Sequence, residues 1–145
     1  MLFNFTFEGN LAADPEMRIT PTGRTMCRMR VGHNTRRRTS NGDWQNGPTM
    51  WITVTAWEAL AERVAKHLRR GDTVVVEARD DLSAWAYLDQ DDQKPAAQLQ
   101  VTAANVALSL RFRAATAQSP DKSVEITDPW DESAESAVRE LEPAA

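Results

Sequence analysis

The sequence predicts an all-β barrel of five strands with one helix between the third and fourth strands. Three observations carry that prediction. Stretches as far as Leu108 alternate between two side-chain types with period two, as strands do. A single stretch, Glu58–Leu68, shifts to helical spacing. Gly, Pro, Asn and Asp gather between the stretches, where turns need a preset or positive φ.

The first strand is the N-terminal run Met1–Glu8, which sets Phe3, Phe5 and Phe7 against Leu2, Asn4, Thr6 and Glu8. It has no basic leader and reads as a strand, not a signal peptide. After Gly9-Asn10 and Asp14-Pro15 comes a short extended piece, Glu16–Thr20, and then the turn sequence Pro21-Thr22-Gly23. The second strand, about Arg24–Thr35, sets Met26, Arg28 and Arg30 against Cys27, Met29 and Val31, with Gly32 expected at a bulge or bend. Residues 36–49 read as a polar loop with turn signals at Asn41-Gly42 and Asn46-Gly47.

The third strand is Met50–Trp57. Met50, Ile52, Val54 and Ala56 share a core face, and Trp51, Thr53, Thr55 and Trp57 share a face that reads as wet surface with two flat aromatic platforms. Leu60, Val64 and Leu68, with Ala61 and Ala65 beside them, define the helix. Arg69-Arg70-Gly71-Asp72 stops it, with cations at its negative end and glycine beyond. Thr73–Ala78 restarts strand structure and is expected to continue toward Trp85. Asp89–Lys94 is a polar turn, and Gln98–Leu108 is the last alternating strand. This element order is that of an OB-fold barrel.

Charge divides the 145 residues unevenly. Residues 1–113 carry 15 Lys+Arg against 13 Asp+Glu, whereas residues 114–145 carry two cations against eight acids. From Ala114 onward hydrophobic periodicity fails, so the expected division is a domain over 1–113 and a disordered acidic tail over 114–145. In that tail Trp130 stands among acids. It is a candidate for weak contact with protein partners, chance placement being the alternative.

Catalysis finds no footing in these residues. His33 and His67 fall on different elements and Cys27 has no CxxC partner. Asp89, Asp91 and Asp92 lack the glycine and glutamate of a calcium loop. No catalytic residue, metal ligand or cofactor is expected. The single cysteine fits a reducing cytosol, and no run approaches the ~20 apolar residues that span a bilayer, so the expected location is cytoplasmic.

Two tryptophans on a threonine-bearing face suggest base stacking, worth roughly 1–3 kcal/mol per base. Core or subunit interface is the competing use of such aromatics. Arg24, Arg28, Arg30, Arg36, Arg37 and Arg38 fall within fifteen positions. Of these, Arg28, Arg30, Arg36, Arg37 and Arg38 are the expected phosphate contacts, since cations position a nucleic-acid backbone while stacking holds its bases.

Several motifs then resemble, in order, the bacterial single-stranded DNA-binding protein family in its actinobacterial form. They are Asp14-Pro15-Glu16-Met17-Arg18-Ile19-Thr20-Pro21-Thr22-Gly23, Arg30-Val31-Gly32, Gly71-Asp72-Thr73-Val74-Val75-Val76-Glu77, Asn105-Val106 and Ser109-Leu110-Arg111. The resemblance covers roughly residues 2–113. It implies that Trp51, Trp57 and Trp85 are stacking aromatics, with Trp44 in looser correspondence to an aromatic of a long hairpin loop. It further implies a nucleoid-associated homotetramer that wraps single-stranded DNA without sequence preference in replication, recombination, repair or chromosome maintenance, with no enzymatic activity and no required cofactor.

Three departures stand out. Ala78 replaces a usual glycine, and Arg79-Asp80-Asp81-Leu82-Ser83-Ala84 is acidic where family members are often basic. The chain ends Glu140-Leu141-Glu142-Pro143-Ala144-Ala145, without the terminal Pro-Phe of the main cellular members, and so reads as a specialised paralogue. The rival class is a protein-interaction OB-fold related to primosomal replication-restart proteins, with DNA binding secondary.

Overall fold

The computed structural model describes residues 5–91 and 93–115. In chain order its elements are β1 (Phe5–Leu11), β2 (Glu16–Ile19), β3 (Thr25–Arg38) and β4 (Trp44–Trp57), then α1 (Glu58–His67), then β5 (Thr73–Ala78), β6 (Ser83–Leu88) and β7 (Pro95–Leu108). β1 pairs antiparallel with both β3 and β5, β3 with β4, and β5 with β7, while β4 and β7 run parallel. Those five strands close on themselves in the order β1-β3-β4-β7-β5, and α1 follows the third of them. The expected OB-fold is present. β2 is a short edge strand on β3, and β6 forms a hairpin with β7.

Closure buries every second side chain of the long strands. Cys27, Met29 and Val31 of β3 face Ile52, Val54 and Ala56 of β4, all nearly or fully buried, and Val74, Val76, Val101 and Ala103 complete the wall. Ala61, Val64 and Leu68 of α1 join the same core. Lys66 and His67 occupy the last helical turn, where the helix dipole favours cations.

Burial governs the chemistry of Cys27. Desolvation first, and the Glu16 charge second, push its thiol from 9.0 up to about 11. The folded chain is therefore expected to resist a thiol reagent at pH 8, and to release one reactive thiol on unfolding in guanidinium. The folded thiol holds its proton more tightly than the unfolded one. Its contribution to stability is therefore present below pH 9 and lost as pH rises from 9.0 toward about 11. Fast labelling of the intact barrel would contradict this burial.

Four local expectations are corrected. Residues 36–49 are not a loop: β3 and β4 continue as a paired arm, Arg36 with Asn46, Arg37 with Gln45 and Arg38 with Trp44. Its turn lies where Asn41-Gly42 signals one, with Gly42 at φ +88 and the Thr39 amide donating to the Asp43 carbonyl. Asn46-Gly47 makes no turn. Gly47 lies in β4 so close to Thr35 that a Cβ would collide with the Thr35 hydroxyl, and the register slips beside it, between Asn34 and Arg36. The bulge is there and not at Gly32, which stays in register opposite Trp51.

The fourth correction concerns the later strands. β5 stops at Ala78, and the Asp81 carboxylate accepts the Thr102 amide at 2.9 Å in the connection before β6. The last strand begins at Pro95, earlier than the alternation indicates. The expectations for Phe3, for Trp130 and for a disordered tail beyond Ala115 lie outside the described residues.

Candidate nucleic-acid interface

Pairing of β3 with β4 sets Gly32, Arg30, Arg28 and Met26 opposite Trp51, Thr53, Thr55 and Trp57. All eight belong to the face turned away from the core. Two arginines thus lie between two tryptophans about 20 Å apart along β4, at ~3.3 Å per residue.

The two tryptophans are held differently. Trp51 lies across the backbone of Gly32, where a Cβ would come within 2.8 Å of its Cζ3. The Arg30 guanidinium stands 4.8 Å from its ring centroid, a cation–π contact. The ring is still 40% exposed. Trp57 is half-buried at the start of α1, with the Arg24 guanidinium 4.6 Å from its centroid. Arg24 Nε in turn donates to Glu58 Oε1 at 2.8 Å.

Thr53 and Thr55 are not wet surface. Each is only 6% exposed, because β7 runs beside β4 and the Gln98 Nε2 donates to Thr53 Oγ1 at 3.1 Å. The outer face is therefore a groove of about 340 Å³, with Thr53 and Gln98 joined to Arg28, Arg30, Trp51 and Tyr87 in its lining. Asp14 and Glu16 form part of the same lining, but both are engaged: Asp14 accepts the Arg70 amide, and Glu16 pairs with Arg18.

Tyr87, like Gln98, is a groove residue that the sequence reading misses. It stands two positions from Trp85 on β6, hence on the same face, and the two are 44% and 46% exposed. Register sets Trp85 opposite Gln98 and Tyr87 opposite Ala96. The groove lining includes Tyr87 and not Trp85.

The remaining expected residues lie on the arm. Trp44 is 66% exposed opposite Arg38. Strand alternation puts Arg36 and Arg38 on one side of the arm and Arg37 on the other. So the structure gathers Arg28, Arg30 and Trp51 in one groove and separates Arg36, Arg37, Arg38 and Trp44 from it. Arg18, Arg24, Arg111 and Arg113 are ion-paired, whereas none of Arg28, Arg30, Arg36, Arg37 or Arg38 has an ion pair among the described residues. Among the described residues no three His, Cys, Asp or Glu side chains converge as a metal site, and no helix is long and apolar enough to cross a membrane.

An OB barrel with an aromatic and cationic groove on its outer face has the architecture of a nucleic-acid-binding module. Residues 2–109 match the single-strand binding protein family, and the chain belongs to that family. Membership puts it among binding proteins and not among enzymes. It is 35% identical over 117 residues to a single-stranded DNA-binding protein of Corynebacterium glutamicum, covering 79% of this chain and 50% of that one. Single-stranded DNA-binding protein 2 of Streptomyces coelicolor is 37% identical over 91 residues, 61% of this chain and 44% of that protein. The chain thus spans about half the length of these two relatives. The crystal structure of a small single-stranded DNA-binding protein from Streptomyces coelicolor superposes with a TM-score of 0.59 at 26% identity, covering 74% of this chain and 94% of that one.

Proposed function

We propose that the chain binds and protects single-stranded DNA without sequence preference. The strand lies along the outer face of β3, β4 and β7, its bases stack on Trp51, Trp57 and Trp85, and its phosphates meet Arg28 and Arg30. The arm adds Trp44, Arg36, Arg37 and Arg38 as outlying contacts. The observation that carries this reading is the groove that joins Trp51 and Tyr87 to two arginines without an ion pair. The names of the relatives support it, as does the general pattern of stacking platforms beside cations.

Fluorescence titration tests it. Oligothymidylate should quench the intrinsic tryptophan emission, and duplex DNA of the same length should bind far more weakly. Equal affinity for the two, or none for either, would favour the rival protein-interaction reading. Affinity should fall with salt by a log–log slope of about 0.7 for each phosphate neutralised. Changing Arg36 and Arg38 together to alanine should flatten that slope by about 1.4. An unchanged slope would exclude Arg36 and Arg38 from the DNA path.

The finer reading follows the family. The binding domain is residues 1–113, the chain assembles as a homotetramer in the cytoplasm at the nucleoid, and it serves replication, recombination or repair. The acidic segment 114–145 makes weak contacts with protein partners near Trp130.

A further inference from the structure

We propose that Gln98 is a specificity-determining residue that reads whether a base in the groove is unpaired. The inference rests on the single-strand reading above and names the group that would separate single strands from duplex. Gln98 lies half-buried on β7 and lines the groove with Trp51 and Tyr87. Its amide is anchored, because Nε2 donates to Thr53 Oγ1 at 3.1 Å. A primary amide has two N–H donors and a carbonyl acceptor. One donor is spent on Thr53. Oε1 accepts no hydrogen bond among the described residues, yet no described buried side-chain oxygen or nitrogen lacks a partner, so Oε1 is solvent-accessible on a residue that lines the groove.

That leaves an acceptor and a second N–H on an anchored amide whose residue shares the groove lining with Trp51 and Tyr87. A base stacked on either ring can turn its edge toward the amide. Each of the four bases carries an N–H next to an acceptor on its Watson–Crick edge, the complement of the amide. In a duplex that edge is already used. Gln98 therefore accepts any unpaired base and no paired one, which gives strand discrimination without sequence preference. Arg28 and Arg30 cannot do this, because a guanidinium has donors only.

The test compares oligothymidylate with oligothymidylate of the same length methylated at N3 throughout. Methylation keeps the phosphates and a stackable ring but removes the N–H. The native chain is expected to bind the methylated oligomer about two- to tenfold more weakly, the worth of one net hydrogen bond. Gln98→Leu is expected to bind both equally, near the weaker native level. Thr53→Val, which removes the anchor of the amide, is expected to narrow the gap and serves as the second variant if Gln98→Leu does not fold. The proposal is overturned if the native chain binds both oligomers equally with tryptophan quenching intact. It is also overturned if the gap persists undiminished in a folded Gln98→Leu or Thr53→Val chain. Failure of the native chain to bind either oligomer overturns the single-strand reading, and this inference with it.

Discussion

Replacing Trp51 by alanine is expected to weaken oligothymidylate binding by about 1–3 kcal/mol, roughly a five- to 150-fold rise in Kd, while the barrel stays folded. The ring is on the outer face of β4, 40% exposed, and its removal leaves Ile52, Val54 and Ala56 packed in the core. Trp57→Ala should cost less affinity. Each ring carries a guanidinium, but Arg24 over Trp57 is fixed by Glu58 whereas Arg30 over Trp51 has no ion pair among the described residues, so the cation on Trp57 is the harder one for a base to displace. Equilibrium titrations of both variants, with circular dichroism as the folding control, measure the difference. If Trp51→Ala unfolds the chain but spares affinity per folded molecule, that tryptophan belongs to the core and the stacking assignment fails.

Met29→Ala is expected to lower folding stability by about 2–5 kcal/mol, the usual cost of truncating a fully buried long side chain. Met29 is 2% exposed on the inner face of β3, opposite Val54 and between the outward-facing Arg28 and Arg30. Urea unfolding should show a lower midpoint with an unchanged slope, since the surface exposed on unfolding hardly changes. A loss below about 1 kcal/mol would mean that the barrel interior collapses around the vacancy.

β3 and β4 are legible in the sequence over Met26–Val31 and Ile52–Ala56 because each segment there alternates an apolar core face with a polar one. Beyond Asn34 the same two strands leave the barrel. The arm residues Arg36–Arg38 and Trp44–Asn46 are all exposed, so no apolar alternation marks them and the segment looks like a loop. The glycines show a second limit. A glycine in a strand signals either a bulge or the close approach of a neighbour, and only the partner strand decides between them. Gly47 sits beside the slip in register and Gly32 beneath an indole.

The candidate groove is legible where it lies on adjacent strands, as Arg28, Arg30 and Trp51 do. It is illegible where it depends on distant segments. Thr53 is buried by Gln98, 45 residues away, and no local pattern contains that contact. Tyr87 stands on β6, whose six residues are all exposed, so its strand has no core face to reveal it.

Gly32 sets the fragility of the site under mutation. The orientation of the Trp51 ring is decided nineteen positions upstream, by a residue whose contribution is an atom it lacks. A single added methyl there would tilt the indole without touching the groove chemistry. A survey of variants that scored only ligand-contacting residues would pass over this position. The harmful changes in this chain therefore include a position on β3 that offers DNA no side chain at all.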